Sequence, residues 1–399
     1  MTDRKEVRLS LVPLIVGVAS LITAVSPAGA AGERGPNVPE FWVRDGYRVT
    51  LAADKLDEAR FIEFDDKGTL YVSQPKRKMI VALRDADGDG AFETAAEFVT
   101  DKPAVHGMHF YDGWLWFTQS GAIHKARDTN GDGKADETVT IVDQDLPSGG
   151  GHWWRTICVD DQGFYTSIGD DGNINEHVDD ERCRIYRFNL DGTGKREFAS
   201  GLRNTEKLRL RPGSNDLYGA DHGSDNYGKK FGEERGVQPI TDLNPPCEFN
   251  RYVDGGFYGH PYVTANKLPR LEFMDRRGID LVELANRTIA PVWNLGGHVA
   301  PNGWTFVTKD TLTGQPGDAL VALHGSWNST KKVGYAVEHV MFDAATGEPY
   351  GARPLVVTIS DDARNVMARP CDVAEAADGS VLFTDDANRK IYRIAKVGQ

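Results

Sequence analysis

Cysteine is scarce in this chain: four residues in 399, at Cys158, Cys183, Cys247 and Cys371. None stands in a C-x-x-C-H or C-x-x-C spacing, which excludes an attached c-type haem and a paired-thiolate zinc site. The spacings define no disulfide framework, so bridges and buried free thiols both stay open. Long apolar runs are scarce too, and past residue 25 no segment is apolar enough to span a bilayer. A basic excess is missing: 46 Lys and Arg stand against 59 Asp and Glu, a net charge of −13. That sign speaks against nucleic acid and anionic membranes as partners and suits a neutral substrate, a cation or a basic redox protein. Helical periodicity is rare throughout, so an all-β chain is expected.

The one long apolar stretch lies at the start. Arg4, Lys5 and Arg8 precede the run Leu9 to Val25, and Ala28-Gly29-Ala30 follows it. Basic start, apolar middle and small-residue end are the order of a secretory signal peptide. Cleavage is expected after Ala30, giving a mature chain from Ala31 and a periplasmic or secreted protein. A retained anchor is the alternative, since about 17 apolar residues approach the lower limit of a span. The segment carries three basic and two acidic residues, so its loss takes the net charge from −13 to near −14. Residues 31–399 are then expected to form a single domain large enough to bury its core without staples.

A repeat organises that domain. Six times, a Gly- or Asp-bearing turn leads into a short aromatic or β-branched strand. The turns are Asp65-Asp66-Lys67-Gly68, Asp112-Gly113, Asp160-Asp161-Gln162-Gly163, Pro212-Gly213, Gly317-Asp318 and Asp378-Gly379. The first four lie about 45–50 residues apart, the length of one four-stranded propeller blade. The spacing predicts a six-bladed β-propeller. The gap between the fourth and fifth turns is doubled, which places a long excursion in the fifth blade. The last blade shows three strands, Cys371–Glu375, Val381–Thr384 and Ile391–Ala395. Tyr47–Leu51 is expected to supply the fourth and so close the ring. A pair of β-sandwiches is the competing architecture, but it leaves the blade-length spacing unexplained.

Two loops are rich in acids: Asp85, Asp87, Asp89 and Glu93 in one, Asp128, Asn130, Asp132 and Asp136 in the other. Oxygen side chains at alternate positions around a Gly bend suit a structural calcium ion. The final acid comes too early for an EF-hand, and solvated hairpin tips are the alternative.

More specific is an ordered series downstream. It runs Gly151-His152-Trp153-Trp154-Arg155, Gly201-Leu202-Arg203-Asn204, Asp221-His222-Gly223-Ser224-Asp225-Asn226 and Pro245-Pro246-Cys247-Glu248-Phe249-Asn250. Gly255-Gly256-Phe257-Tyr258-Gly259-His260-Pro261-Tyr262, His298-Val299-Ala300-Pro301, His324-Gly325-Ser326-Trp327-Asn328 and Arg369-Pro370-Cys371-Asp372-Val373 complete it. In this order the set resembles the soluble glucose/sorbosone dehydrogenases dependent on pyrroloquinoline quinone (PQQ), which are six-bladed propeller quinoproteins.

The resemblance implies oxidation of a sugar, aldose or polyol, with hydride passing to PQQ and electrons then to a separate cytochrome or quinone acceptor. It implies His152 as the general base, a task suited to imidazole. Arg203 and Asn204 would face the quinone carbonyls, Arg203 stabilising charge that develops there. The backbone carbonyls of Gly223 and Ser224 would hold a calcium that polarises the quinone; Glu248 and Tyr258 would bind a second, structural one. Arg369 would contact the cofactor's carboxylates, and His298, Trp327 and Asn328 would line the same funnel. Taken singly, His152 could as well be a packed histidine, and Arg203 a strand-end salt bridge. The chain departs from the family pattern at Thr205 and Lys207, where Pro and Gly are usual, at Cys247 and His260, and in a charged insertion from Lys229 to Arg235. Lys331 and Lys332 only approach the position of a PQQ-binding lysine. A calcium-dependent hydrolase of the lactonase kind and a non-catalytic binding propeller stay as alternatives. An Arg, Asn and His ring in an open funnel favours the dehydrogenase, three carboxylates on one metal the lactonase, and a plugged funnel the binder.

Overall fold

The computed structural model describes residues 32–143, 145–228 and 240–398. Residues 1–30 (read as a signal peptide), Ala31 and the insertion Lys229 to Arg235 lie outside the described residues. Six twisted sheets form a β-propeller, each with four antiparallel strands running from the central axis outward. Blade 1 comprises Ile62–Phe64, Leu70–Gln74, Met79–Arg84 and Thr94–Val99, and blade 2 Met108–Tyr111, Trp114–Thr118, Ile123–Arg127 and Glu137–Val142. Blade 3 comprises Cys158–Val159, Phe164–Ile168, Arg184–Phe188 and Arg196–Ser200, and blade 4 Thr205–Leu210, Leu217–Asp221, Pro246–Tyr252 and Trp293–Gly297. Blade 5 is Pro301–Phe306, Ala319–Leu323, Ala336–Phe342 and Pro349–Val357.

Blade 6 takes Pro370–Glu375, Val381–Asp385 and Lys390–Lys396 from the end of the chain and its outer strand, Tyr47–Ala53, from the beginning. The pairing runs from Ile391↔Ala53 to Lys396↔Tyr47, the closure anticipated from Tyr47–Leu51. Trp42–Val43 covers the outer edge of blade 5, so that edge strand is paired rather than bare.

All six turns of the repeat are the hairpin between a blade's first and second strands. Asp side chains build several of them: Asp65 Oδ1 accepts from the amides of Lys67 and Thr69, and Asp160 Oδ1 from those of Gln162 and Gly163. This corrects one expectation. The long excursion belongs to blade 4, not blade 5, because length added after a first hairpin falls in the remainder of the same blade. It enters between Asp221 and Pro246, and again between Tyr252 and Trp293, where the helix Leu281–Arg287 lies. The second part lays Gly256–Phe257 alongside Ala199 and Ser200 of blade 3 and carries His260 to Asp170.

Apolar residues fill the spaces between blades. Tyr218, Phe249, Trp304, Phe306 and Phe342 pack edge to face between blades 4 and 5, an arrangement aromatic quadrupoles favour. The four cysteines are buried and unbridged.

The central channel is filled differently. Three cross-channel ion pairs leave the first strand of blade 4: Glu206 to Arg60 at 3.3 Å, Lys207 to Asp372 at 2.7 Å and Arg209 to Glu63 at 2.5 Å. Lys207 Nζ also reaches the second Asp372 oxygen and the carbonyl of Val373, while Trp304 Nε1 donates to the carbonyl of Lys207. Lys207, where the resembling family has Gly, thus fills the axis. Removing one partner of a buried pair leaves an uncompensated charge, at a cost of about 3–5 kcal/mol. Lys207→Met should lower stability by about that much in denaturant titrations, and adding Asp372→Asn should recover part of the loss.

Candidate active site

The first strands begin and the second strands end on one face of the ring, and there the funnel opens into a cavity of about 250 Å³. It gathers seven residues named from the sequence: His152, Arg203, Gly223, His298, Trp327, Asn328 and Arg369. Arg60, Trp154, Glu206, His222, Asp225, Asn302 and His324 join them.

His152 lies just before blade 3. Its Nδ1 is 2.6 Å from the carbonyl oxygen of Asp170. A carbonyl only accepts, so Nδ1 carries the proton and Nε2 holds the lone pair. Burial and the Arg203 guanidinium push this imidazole down to about 3, which keeps it neutral. The Asp170 side chain is fully buried between His260 Nε2 at 2.9 Å and His177 Nε2 at 3.1 Å. Burial alone would raise Asp170, but these contacts and the Gly172 amide outweigh it and hold the carboxyl below its ordinary range. His260, a departure from the family pattern, thereby braces the residue that orients His152.

Arg203 is held from three sides. Nε donates to the carbonyl of Asn173 at 2.9 Å, Nη2 to its side-chain oxygen at 3.0 Å and Nη1 to the carbonyl of Gly223 at 3.2 Å. Buried Asp221 fixes the strand start by accepting from the amides of Arg203 and Asn204. Gly223 is required where it stands: a Cβ would come within 2.7 Å of the Pro245 oxygen. Asn204 is buried and is not among the cavity-lining residues; its amide donates to Glu206 Oε1 at 3.1 Å. His298 forms wall, with Nε2 2.5 Å from the carbonyl of Thr241. Asn328 donates to Asp225 at 2.8 Å, while its Oδ1 is buried with no partner among the described residues. Trp327 stands at the mouth, 76% exposed. The floor is Arg60, its guanidinium stacked 3.9 Å over Trp154.

Ser224, Glu248 and Tyr258 line a separate recess of about 20 Å³ beside Asp221. Burial and the neighbouring Asp221 raise Glu248 to about 8, as expected of two close buried carboxylates. Tyr258 Oη donates to the carbonyl of Arg251 and accepts from the Val253 amide.

The acidic loops join third to fourth strands of blades 1 and 2, so they lie on the opposite face from the cavity. They are not equivalent. Asp85, Asp87, Asp89 and Glu93 each bring one oxygen within 4.8 Å of the others. In the second loop Asp128 faces Arg84 at 3.3 Å.

Comparisons with known proteins place this six-bladed chain in a family. Residues 41–397 match the family model described as TrAA12-like. The chain belongs to the TrAA12-like family. The PQQ domain of a pyranose dehydrogenase from Coprinopsis cinerea, in its holo form, shares the fold with a TM-score of 0.76 at 19% identity, covering 91% of this chain and 100% of that one. A calcium structure of a family AA12 enzyme from Trichoderma reesei gives 0.75 at 18%, covering 91% and 100%. An uncharacterized protein from Borreliella burgdorferi is 24% identical over 371 residues, 87% of this chain and 93% of its own. The TrAA12-like chain thus shares its fold with the PQQ domain of a pyranose dehydrogenase.

Of the residues the sequence did not single out, His222 and His324 stood inside quoted motifs, and their position at second-strand ends was the available signal. Arg60 offered none.

Because the Arg203 charge helps hold His152 down, Arg203→Ala should raise the titration midpoint of His152. Histidine NMR on the TrAA12-like chain without added ligand should show the parental ring neutral far below pH 6.5 and the variant titrating closer to it.

Proposed function

We propose that this cavity binds PQQ and oxidises a C–OH group of a sugar, aldose or polyol. The observation that carries the proposal is His152: its proton is committed to Asp170 on one side, and its bare Nε2 lines a cavity rimmed by Arg203 and Arg369. The donor set fits a flat polyanion with quinone oxygens. Arg203 and Arg369 enter from blades 4 and 6, Arg369 Nη1 has no partner among the described residues, and the buried Asn328 Oδ1 awaits a donor. PQQ, when bound, supplies the two-electron hydride acceptor. The chain does the rest. His152 Nε2 takes the substrate hydroxyl proton. Arg203, locked by Asn173 and Gly223, presents a fixed positive charge that need not reorganise during reaction. Arg369 and Asn328 orient the acceptor, and Trp327 offers an apolar face to a sugar ring. With no haem motif in the chain, electrons leave to a separate carrier of cytochrome or quinone type. The signal-peptide pattern assigns the work to the periplasm or the exterior.

Calcium has three candidate places. The Gly223 and Ser224 carbonyls would hold it beside the cofactor, although the Gly223 oxygen already accepts from Arg203. The Glu248 and Tyr258 recess, with Asp221, offers two buried carboxylates. The blade 1 loop offers four acids, and it is better suited than the blade 2 loop, whose Asp128 is paired with Arg84. Neither alternative function gains support. Asp225 and Glu206 in the cavity are engaged by Asn328 and Arg60 rather than converging on a metal, and the funnel is open above its ion-paired floor.

The test is PQQ titration with calcium, then a scan of sugars and polyols with an artificial electron acceptor. His152→Ala should retain PQQ and slow its reduction by about 10²–10⁴-fold, the worth of a positioned base. Arg203→Ala should weaken binding as well. Reduction at the parental rate in His152→Ala would remove the base from His152; no binding to the parent would leave only the fold in common with the dehydrogenases. For the blade 1 loop, Asp87→Ala should abolish part of a calcium-dependent rise in melting temperature, because a ligand stabilises only the state it binds; a parent that melts alike with calcium and with chelator would make the loop a solvated turn.

A further inference from the structure

The cavity holds one histidine whose two nitrogens are both committed to charged groups. His324 follows the second strand of blade 5 and lies between Asp386, which follows the second strand of blade 6, and Arg369, which precedes that blade's first strand. Its Nε2 lies 3.0 and 3.1 Å from the two Asp386 oxygens, and its Nδ1 lies 3.0 Å from Arg369 Nη2. A carboxylate only accepts and a guanidinium only donates. The proton therefore sits on Nε2 and the lone pair on Nδ1. Arg369 Nε reaches the carbonyl of the same residue at 3.4 Å, so His324 grips two corners of the guanidinium and leaves the third to the cavity. Asp386 is held in turn by Arg60 Nη1 at 3.0 Å, and Arg60 by Glu206 and the face of Trp154.

We infer that Asp386 and His324 are a positioning pair: Asp386 sets the His324 tautomer so that Nδ1 receives Arg369 and aims its free corner at an anionic group of the bound ligand. This deepens the proposed function and rests on it for the identity of that ligand. A doubly protonated imidazole would turn an N–H against the guanidinium and release it. Burial, with Arg369 and Arg60 alongside, keeps His324 below its ordinary range against the pull of Asp386. Cys371 Sγ lies within 4.8 Å of the His324 and Asp386 ligand atoms, but two guanidiniums at the same cluster oppose a cation there. An imidazole in this setting thus works as a neutral acceptor rather than as a second base.

Two measurements test this independently. In the protein labelled with ¹⁵N-histidine, with no ligand added, His324 should show the neutral tautomer protonated at Nε2; an Nδ1-protonated or charged ring overturns the proposal whether or not PQQ binds. In PQQ titrations, His324→Ala should weaken binding by about 10–100-fold, the range of one charge-assisted hydrogen bond. Arg369→Ala should do the same, and the double variant should be no weaker than Arg369→Ala alone. His324→Asn, whose oxygen reaches the place of Nδ1, should restore binding to within a few-fold, while His324→Gln, which reaches the place of Nε2, should not. Additive losses, or variants that melt earlier yet bind PQQ as the parent does, reduce His324 to a structural residue. If PQQ does not bind the parent, the proposed function fails, and the tautomer alone decides the pairing.

Discussion

The axis of the ring is the constraint on which the rest of this molecule depends. Six inner strands converge there, and the space between them is too narrow to be wet and too polar to be oily. The chain fills it with charge of both signs, half of it from one strand: Glu206, Lys207 and Arg209 meet Arg60, Asp372 and Glu63. In a medium of low dielectric each of these charges is costly alone and tolerable only in register. Blades 1 and 6 are thereby tied to blade 4, and their strand starts are held where the cavity needs them.

The site is the upper end of that stack. Arg60 belongs to the uppermost ion pair and is also the cavity floor; Glu206 pairs with it and accepts from Asn204. Asp386 shares Arg60 and steadies His324. On the other wall Asp170 holds His152 through its backbone while its side chain is clamped by His260 and His177. The groups that face the cavity are thus each set by a buried carboxylate or carbonyl behind them, which is how a rigid scaffold confers precise orientation without crowding the ligand.

Most of the fold was legible because Asp and Gly at first hairpins do a local job that leaves a local trace, as at Asp65 and Asp160. The repeated turn marks a blade's first hairpin and not its start, so the excursion after Pro212-Gly213 could be counted but was assigned to the wrong blade. In the site, residues adjacent to one another in a motif were visible: Arg203 beside Asn204, Trp327 beside Asn328. What escaped depends on partners distant in sequence. Lys207 stood out as a departure from the family pattern, yet its meaning lies in Asp372, and that of His260 in Asp170. The two acidic loops read alike, and only the pairing of Asp128 with Arg84 sets them apart.

The closure of blade 6 has a temporal side. Tyr47–Ala53 is synthesised roughly 340 residues before its partner Lys390–Lys396. Until Lys390–Lys396 is made, the strand Tyr47–Ala53 lacks its antiparallel partner in blade 6, and the growing chain is an open arc. Pairing so distant in sequence is slow to find, and it is also the step that turns the arc into a ring. A ribosome that stops before Lys390 therefore releases not a slightly smaller propeller but an unclosed one.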